Sequence, residues 1–283
     1  MTATIELMSG FSLEITGKDA DAIADARQYL PDDTRVNITF LGNESLELRV
    51  AAARAVAESG LVPVPHLAAR RLASRETLDT FLTALHEVGG SESVFVVGGD
   101  PPEPEGPYDD ALDLIWSGAL SSHGVRAVGI AGYPEGHPQI SDALLWQALT
   151  DKVAALRESG LAGEITTQFG FDADAVLAWI EQLRARGIEL PIRVGVPGPA
   201  GAKRLLAYAR RFGVGTSAGI ARKYGLSLAN LLAVAGPDRF ITELASRLDP
   251  AEHGTVKLHF YTFGGVEVTA KWARDHAGSF CVS

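Results

Sequence analysis

Eight short apolar runs, nearly all followed by a longer stretch of helical spacing, constrain this chain more than any other feature. The runs fall at 11–16, 35–40, 61–68, 93–99, 127–133, 164–171, 192–198 and 256–263, and their length predicts strands. Between them, segments such as 19–30, 44–60, 74–89, 142–160 and 172–187 carry apolar residues at the spacing of a helix face. Several of these open on Asp or Ser and close on Gly, the expected capping chemistry. Strands separated by helices pair in parallel, because a parallel neighbour can be reached only through a long crossover. Eight such units in 283 residues, with no long linker, predict a (β/α)8 TIM barrel forming a single domain over 1–283. An open doubly wound sheet would place a glycine-rich phosphate loop after its first strand, and "EITGKDA" has no such loop. The stretch 213–255 predicts two or three helices, so the segment before the last strand is enlarged.

Composition narrows the partners. A net charge of −10 without a Lys/Arg run argues against nucleic acid, whose phosphates call for clustered cations. The single cysteine, Cys281, allows neither an internal disulfide nor a cysteine metal site. No HxxxH or HxH spacing supports a metal built from His66, Asp100 and His137, so none is expected. There is no GxSxG elbow for serine hydrolysis. The opening "MTATIELMSGFSLEITG" lacks the basic start and apolar core of a secretory leader. No apolar stretch approaches the roughly 18 residues of a membrane span. A cytoplasmic protein that uses neither membrane nor nucleic acid is the expectation.

In a barrel of this kind chemistry sits where strands end. Polar residues at those ends are Glu14, Thr39, His66, Asp100, then Tyr133 with Glu135 and His137, then Gln168 and Tyr261. Glu14 stands inside an apolar run; buried there, its carboxyl would have a raised pKa and could hold a proton near neutrality. His66 reads equally as a core imidazole bonded to backbone. Asp100 could cap a turn before two prolines, although the preceding glycines allow a ligand to approach the backbone. Gln168 suits reading a heterocycle edge or tying the barrel together, and Lys152 suits a solvated helix face.

"VGIAGYPEGHP" resembles the A-x-Y-P-E-x-H-P motif that follows the fifth barrel strand in the methylenetetrahydrofolate reductase family. "FSLEITG", "NITF", "VPHLA", "VVGGDPP" with Tyr108, "ITTQFGFD", "IRVGVPG" and "LHFYTF" resemble the family's other landmarks, in order, from residue 11 to about 263. The likeness is to the short, catalytic-domain-only form. It implies reduction of 5,10-methylenetetrahydrofolate to 5-methyltetrahydrofolate with NADH or NADPH, through bound FAD, with a tetrahydrofolate-type substrate as partner. A homo-oligomer is compatible with it. The resemblance makes Glu14 the catalytic acid, Asp100 the carboxylate near pterin and flavin, and Gln168 the pterin-reading amide. Thr39, His66, Gly99, Asp100, Tyr108, Tyr133, His137 and Lys152 would touch the flavin. Tyr208 falls where the family has a phenylalanine that packs on nicotinamide cofactor or folate, and Tyr261 marks the last strand's end.

The departures are specific. The first-strand Pro-Pro is Thr16-Gly17, the arginine before the Gly-Asp pair is Gly98, and a late arginine is Gly265. With one residue absent between His137 and Lys152, the flavin-facing Asp, Asn and Arg become Leu145, Ala148 and Asp151; without that gap Lys152 takes the arginine position. Weaker FAD binding follows, and two alternatives stay open: direct hydride transfer without flavin, in either direction, or a folate-binding subunit with degraded catalysis.

Overall fold

The computed structural model describes residues 5–212, 234–277 and 281–282, with side chains over 7–210 and 236–277. Eight parallel strands close into a barrel: β1 (Ser12–Ile15), β2 (Arg35–Ile38), β3 (Val62–Ala68), β4 (Ser93–Val97), β5 (Ala127–Gly132), β6 (Ala162–Thr167), β7 (Ile192–Pro197) and β8 (Val256–Tyr261), in sequence order with β8 beside β1. All eight expected strands are present. Most are trimmed because the runs extend into loops: Gly98 and Gly99 leave β4, and Phe169 and Phe171 turn off β6 into a core.

The helices are α1 (Ala20–Ala26), α2 (Leu46–Glu58), α3 (Arg75–Glu87), α4 (Ala111–Trp116), α5 (Ala119–Ser122), α6 (Asp142–Glu158), α7 (Ala173–Ala185), α8 (Ala202–Phe212), α9 (Asp238–Ala245), α10 (Pro250–His253) and α11 (Val266–Asp275). Side chains begin three of them as the sequence predicts. Ser45 accepts from the Leu48 amide at 3.2 Å, Ser74 from Thr77 at 3.1 Å, and Asp172 from Asp174 and Ala175. Of the enlarged stretch before β8, α9 and α10 are seen, while 213–233 lie outside the described residues. Two short antiparallel pairs, Ile5–Glu6 with Cys281–Val282 and Ala200–Gly201 with Val234–Ala235, had no signal in the pattern.

Contacts group the chain into two compact units, one of residues 14–131 and 146–165, the other of residues 1–13, 132–145 and 166–283. In the first, α3 buries Leu78, Phe81, Leu82 and Leu85, the i, i+3, i+4, i+7 stripe of a helix facing a core. Burying each such side chain contributes roughly 1.5–3 kcal/mol. In the second, Phe169, Phe171, Ala200, Ala202, Leu205 and Ala209 form a cluster with Tyr208, Tyr261 and Phe263 packed against it.

Candidate active site

Glu14 lies in β1, where alternation would permit a carboxylate only on an open face. Closure of the barrel leaves its side chain 17% exposed, with Oε2 3.7 Å from His66 Nε2. Burial raises its pKa from 4.5 to about 7, with His66 pulling the other way. The remaining exposure lets water relieve part of that burial, so the carboxyl is poised between its two forms at neutrality. His66, on β3, is 7% exposed, lies 3.3 Å from Asn37 Nδ2 and tilts against Phe95 with ring centroids 4.6 Å apart. If the Asn37 amide donates, the imidazole accepts at Nε2 and carries its proton at Nδ1. Asn37 was missed from the sequence, although a buried amide inside "RVNITF" was the available signal.

Of the other residues of this unit, Thr39 and Asp100 have hydrogen-bond partners. The Thr39 hydroxyl donates to the Ile15 carbonyl at 3.0 Å, tying β2 to β1. Asp100 is exposed beyond Gly99 and accepts from Arg71 Nε at 2.7 Å, which holds the guanidinium's pKa up. A residue 29 positions away could not be paired with Asp100 by spacing, and Arg71 was missed. Tyr108 is buried, and burial raises its pKa against an opposing pull from Arg75. Lys152, on α6, is half-buried; desolvation lowers its pKa, with Asp110 opposing. It is therefore more than a solvated helix face.

In the second unit the loop after β5 folds back on itself. The Tyr133 and His137 rings meet edge to face at 5.4 Å. Burial raises the Tyr133 pKa and lowers that of His137, so both favour their neutral forms. Glu135 Oε1 accepts from the Phe171 amide at 2.7 Å and the Asp172 amide at 3.0 Å. Gln168 sits one residue past β6, its backbone N–H donating to the Gly132 carbonyl at 2.8 Å and its side-chain Oε1 accepting from the Phe169 backbone N–H at 3.1 Å. The side-chain oxygen is thereby occupied, and the NH2 is the end able to address an acceptor on a ligand. Tyr133, Gln168, Phe169 and Gly170 line one small pocket with Glu135.

Tyr261 closes β8 and donates to the Thr167 carbonyl at 3.1 Å. Tyr208 stacks on Phe263 at 4.0 Å and 9°, so one face of its ring is already covered. Below them the buried pair Ser12 Oγ and His259 Nδ1 lies at 2.8 Å. The second unit thus gathers Tyr133, His137 and Gln168 near one loop and Tyr208 and Tyr261 around Phe263. Among the described residues there is no group of three His, Cys, Asp or Glu side chains able to hold a metal ion. Nor is any described helix long and apolar enough to cross a membrane.

Comparison with known proteins adds a family to this geometry. "Methylenetetrahydrofolate reductase 2" of Saccharomyces cerevisiae is 32% identical over 159 residues, covering 52% of this chain and 25% of the yeast protein. "Methylenetetrahydrofolate reductase (NADH) 1" of Arabidopsis thaliana is 29% identical over 201 residues, covering 66% of this chain and 33% of the plant protein. "5,10-methylenetetrahydrofolate reductase" of Pectobacterium carotovorum is 31% identical over 151 residues, 53% of this chain and 48% of the bacterial protein. The chain therefore matches from a quarter to about half the length of these relatives. Among solved structures, dihydropteroate synthase of Thermus thermophilus in complex with 6HMPPP aligns over 99% of this chain and 98% of its own, with a TM-score of 0.52 and 14% identity. That likeness concerns the barrel alone. A family model described as methylenetetrahydrofolate reductase matches residues 21–271, and the chain belongs to that family.

Proposed function

We propose that the protein reduces 5,10-methylenetetrahydrofolate to 5-methyltetrahydrofolate at the expense of NADH or NADPH. The observation that carries this reading is Glu14, a carboxyl with a pKa of about 7 placed 3.7 Å from His66. The bridging carbon of the substrate must become an electrophile before it can take a hydride. Glu14–COOH donates its proton to N10, the C–N10 bond breaks, and its electrons stay on N10. The product is an N5 iminium cation and the Glu14 carboxylate. A hydride, carrying two electrons, then converts the CH2=N5 group to CH3–N5, and water returns a proton to Glu14. An acid of pKa near 7 gives up its proton and regains it at neutral pH without a large penalty either way.

Asp100, ionised against Arg71, favours the cationic intermediate electrostatically. Gln168 offers its NH2 to the pterin ring, and Tyr208 and Tyr261 supply aromatic surface for substrate or nicotinamide. Thr39, His66, Gly99, Asp100, Tyr108, Tyr133, His137 and Lys152 are the residues that would hold FAD. They fit its ring system in kind: imidazole and phenol rings are present, those of His66 and Tyr108 buried, and Lys152 supplies an amine. When bound, FAD would relay the hydride from nicotinamide to folate.

One observation favours a second reading, direct transfer from the nicotinamide without flavin. Gly98 stands where the family carries an arginine; a Cβ there would meet nothing within 4 Å, so the position is open but the cation is gone. With one residue absent between His137 and Lys152, Leu145, Ala148 and Asp151 would replace polar flavin partners as well; without that gap Lys152 keeps the arginine position. A visible spectrum of the purified protein, with turnover assayed with and without added FAD, tests both. A flavin band with FAD-dependent turnover supports the first; a colourless enzyme indifferent to FAD supports the second. Folate binding with no reduction under either condition would contradict both and leave a binding subunit.

A further inference from the structure

The signature loop after β5 contains a carboxylate, Glu135, for which the proposed reaction has no step. Its geometry is that of a fastener. One oxygen, Oε1, accepts two backbone N–H groups from consecutive residues, Phe171 at 2.7 Å and Asp172 at 3.0 Å. These residues end the loop that begins with Gln168 and leads into α7. A carboxylate here also faces the positive end of a 13-residue helix, which strengthens its hold.

The rest of the loop is built to receive that carboxylate. A Cβ on Gly170 would lie 2.7 Å from Glu135 Oε1, so a side chain there would have to displace the carboxylate. Upstream, the Thr167 hydroxyl accepts from the Gly195 amide at 2.8 Å, and the Gly170 amide donates to the Gly195 carbonyl at 3.1 Å. A Cβ on Gly195 would stand 2.4 Å from the Thr167 carbonyl oxygen and 2.9 Å from the Phe169 nitrogen. The segment from Thr167 to Asp172 is thus pinned to β7 at one end and to Glu135 at the other, with Gln168 between the pins.

We infer that Glu135 is a positioning residue: by binding the Phe171 and Asp172 amides it fixes the Gln168–Asp172 loop, and so the amide of Gln168 that addresses the folate ring. The inference rests on the folate reading above for its kinetic consequence but not for its structural one. It accounts for a carboxylate at the rim that accepts from backbone amides of another loop. In this role Glu135 acts on the substrate through the loop that carries Gln168.

The test is a kinetic cycle with Glu135→Ala, Glu135→Gln, Gln168→Ala and the double variant Glu135→Ala/Gln168→Ala, together with amide hydrogen exchange. Glu135→Ala removes both acceptor contacts and should raise KM for the folate about tenfold with kcat little changed. Glu135→Gln keeps an oxygen acceptor and should restore most of that loss. On the Gln168→Ala background, Glu135→Ala should add less than about twofold, because the two act as one unit. A role confined to stability would lower the melting temperature without this KM pattern. Faster exchange at the Phe171 and Asp172 amides in Glu135→Ala is expected as well. Wild-type KM in Glu135→Ala, a full KM penalty on the Gln168→Ala background, or unchanged amide exchange would each overturn the inference. Should the wild-type protein not reduce methylenetetrahydrofolate, the functional reading falls by itself. The exchange rates at Gln168, Phe171 and Asp172 then decide the latch, unchanged rates ending it.

Discussion

The Glu14 cluster and the Glu135 loop each place a carboxylate near a strand end, and they use it in opposite ways. Glu14 has an imidazole beside it and little water, so burial raises its pKa and gives it a proton to donate. Glu135 has two backbone amides in front of it, and accepting both turns the side chain into a structural tie. In the roles proposed above, the same chemical group serves as an acid on a strand and as a fastener on a loop. What surrounds the carboxyl decides which, and the residue type alone does not.

Four results would break or sharpen that contrast, beginning with the largest. Glu14→Gln removes the proton donor while keeping shape, and should cut kcat by about 10²–10⁴ with folate still bound. Measured kcat near wild type would remove Glu14 from the acid role. Gly195→Ala forces a Cβ against the backbone of Thr167 and Phe169, which cannot yield as a flexible side chain can. It should destabilise the fold by about 1–3 kcal/mol and raise the folate KM. Denaturant unfolding together with kinetics would show whether the Gln168 loop tolerates that intrusion.

The third concerns pH. The folded pKa of Glu14 is raised, so the native state binds more protons than the unfolded chain between about 4.5 and 7. Its contribution to stability is fully present below about 4.5 and is lost as pH rises through about 7, up to about 3 kcal/mol before solvent screening is allowed for. Urea unfolding from pH 4.5 to 8 should show that decline in the wild type and a flatter profile in Glu14→Gln. The smallest effect belongs to Arg71→Gln. Its partner Asp100 is 78% exposed, and an ion pair so open to water is worth less than about 1 kcal/mol. Thermal melts should barely move; a large drop would mean that the Asp100 loop leans on Arg71 for its fold.

Much of the fold is legible in the sequence. Parallel strands buried on both faces read as apolar runs, which is why all eight emerged in place. Glu14 stood out because a carboxylate interrupted such a run. The partners of the site residues were not legible, for a physical reason. Asn37, Arg71 and Phe95 act across the sheet or between loops, and sequence spacing carries no register between strands separated by helices. Glu135 was visible as a rim residue, yet its bonds to residues 36 and 37 positions away could not be foreseen. Arg49 shows the same limit: it is buried on α2 with its guanidinium 3.6 Å over the Phe40 ring, a contact that no spacing announces.

The most direct test is a titration of the Glu14 carboxyl itself, by carbon NMR on protein labelled at glutamate side chains, with Glu14→Gln to assign the signal. A midpoint near 7 is expected. A midpoint at the ordinary 4.5 would mean that Glu14 is a solvated carboxylate with no proton to give at neutral pH, and the proposed acid step would fail.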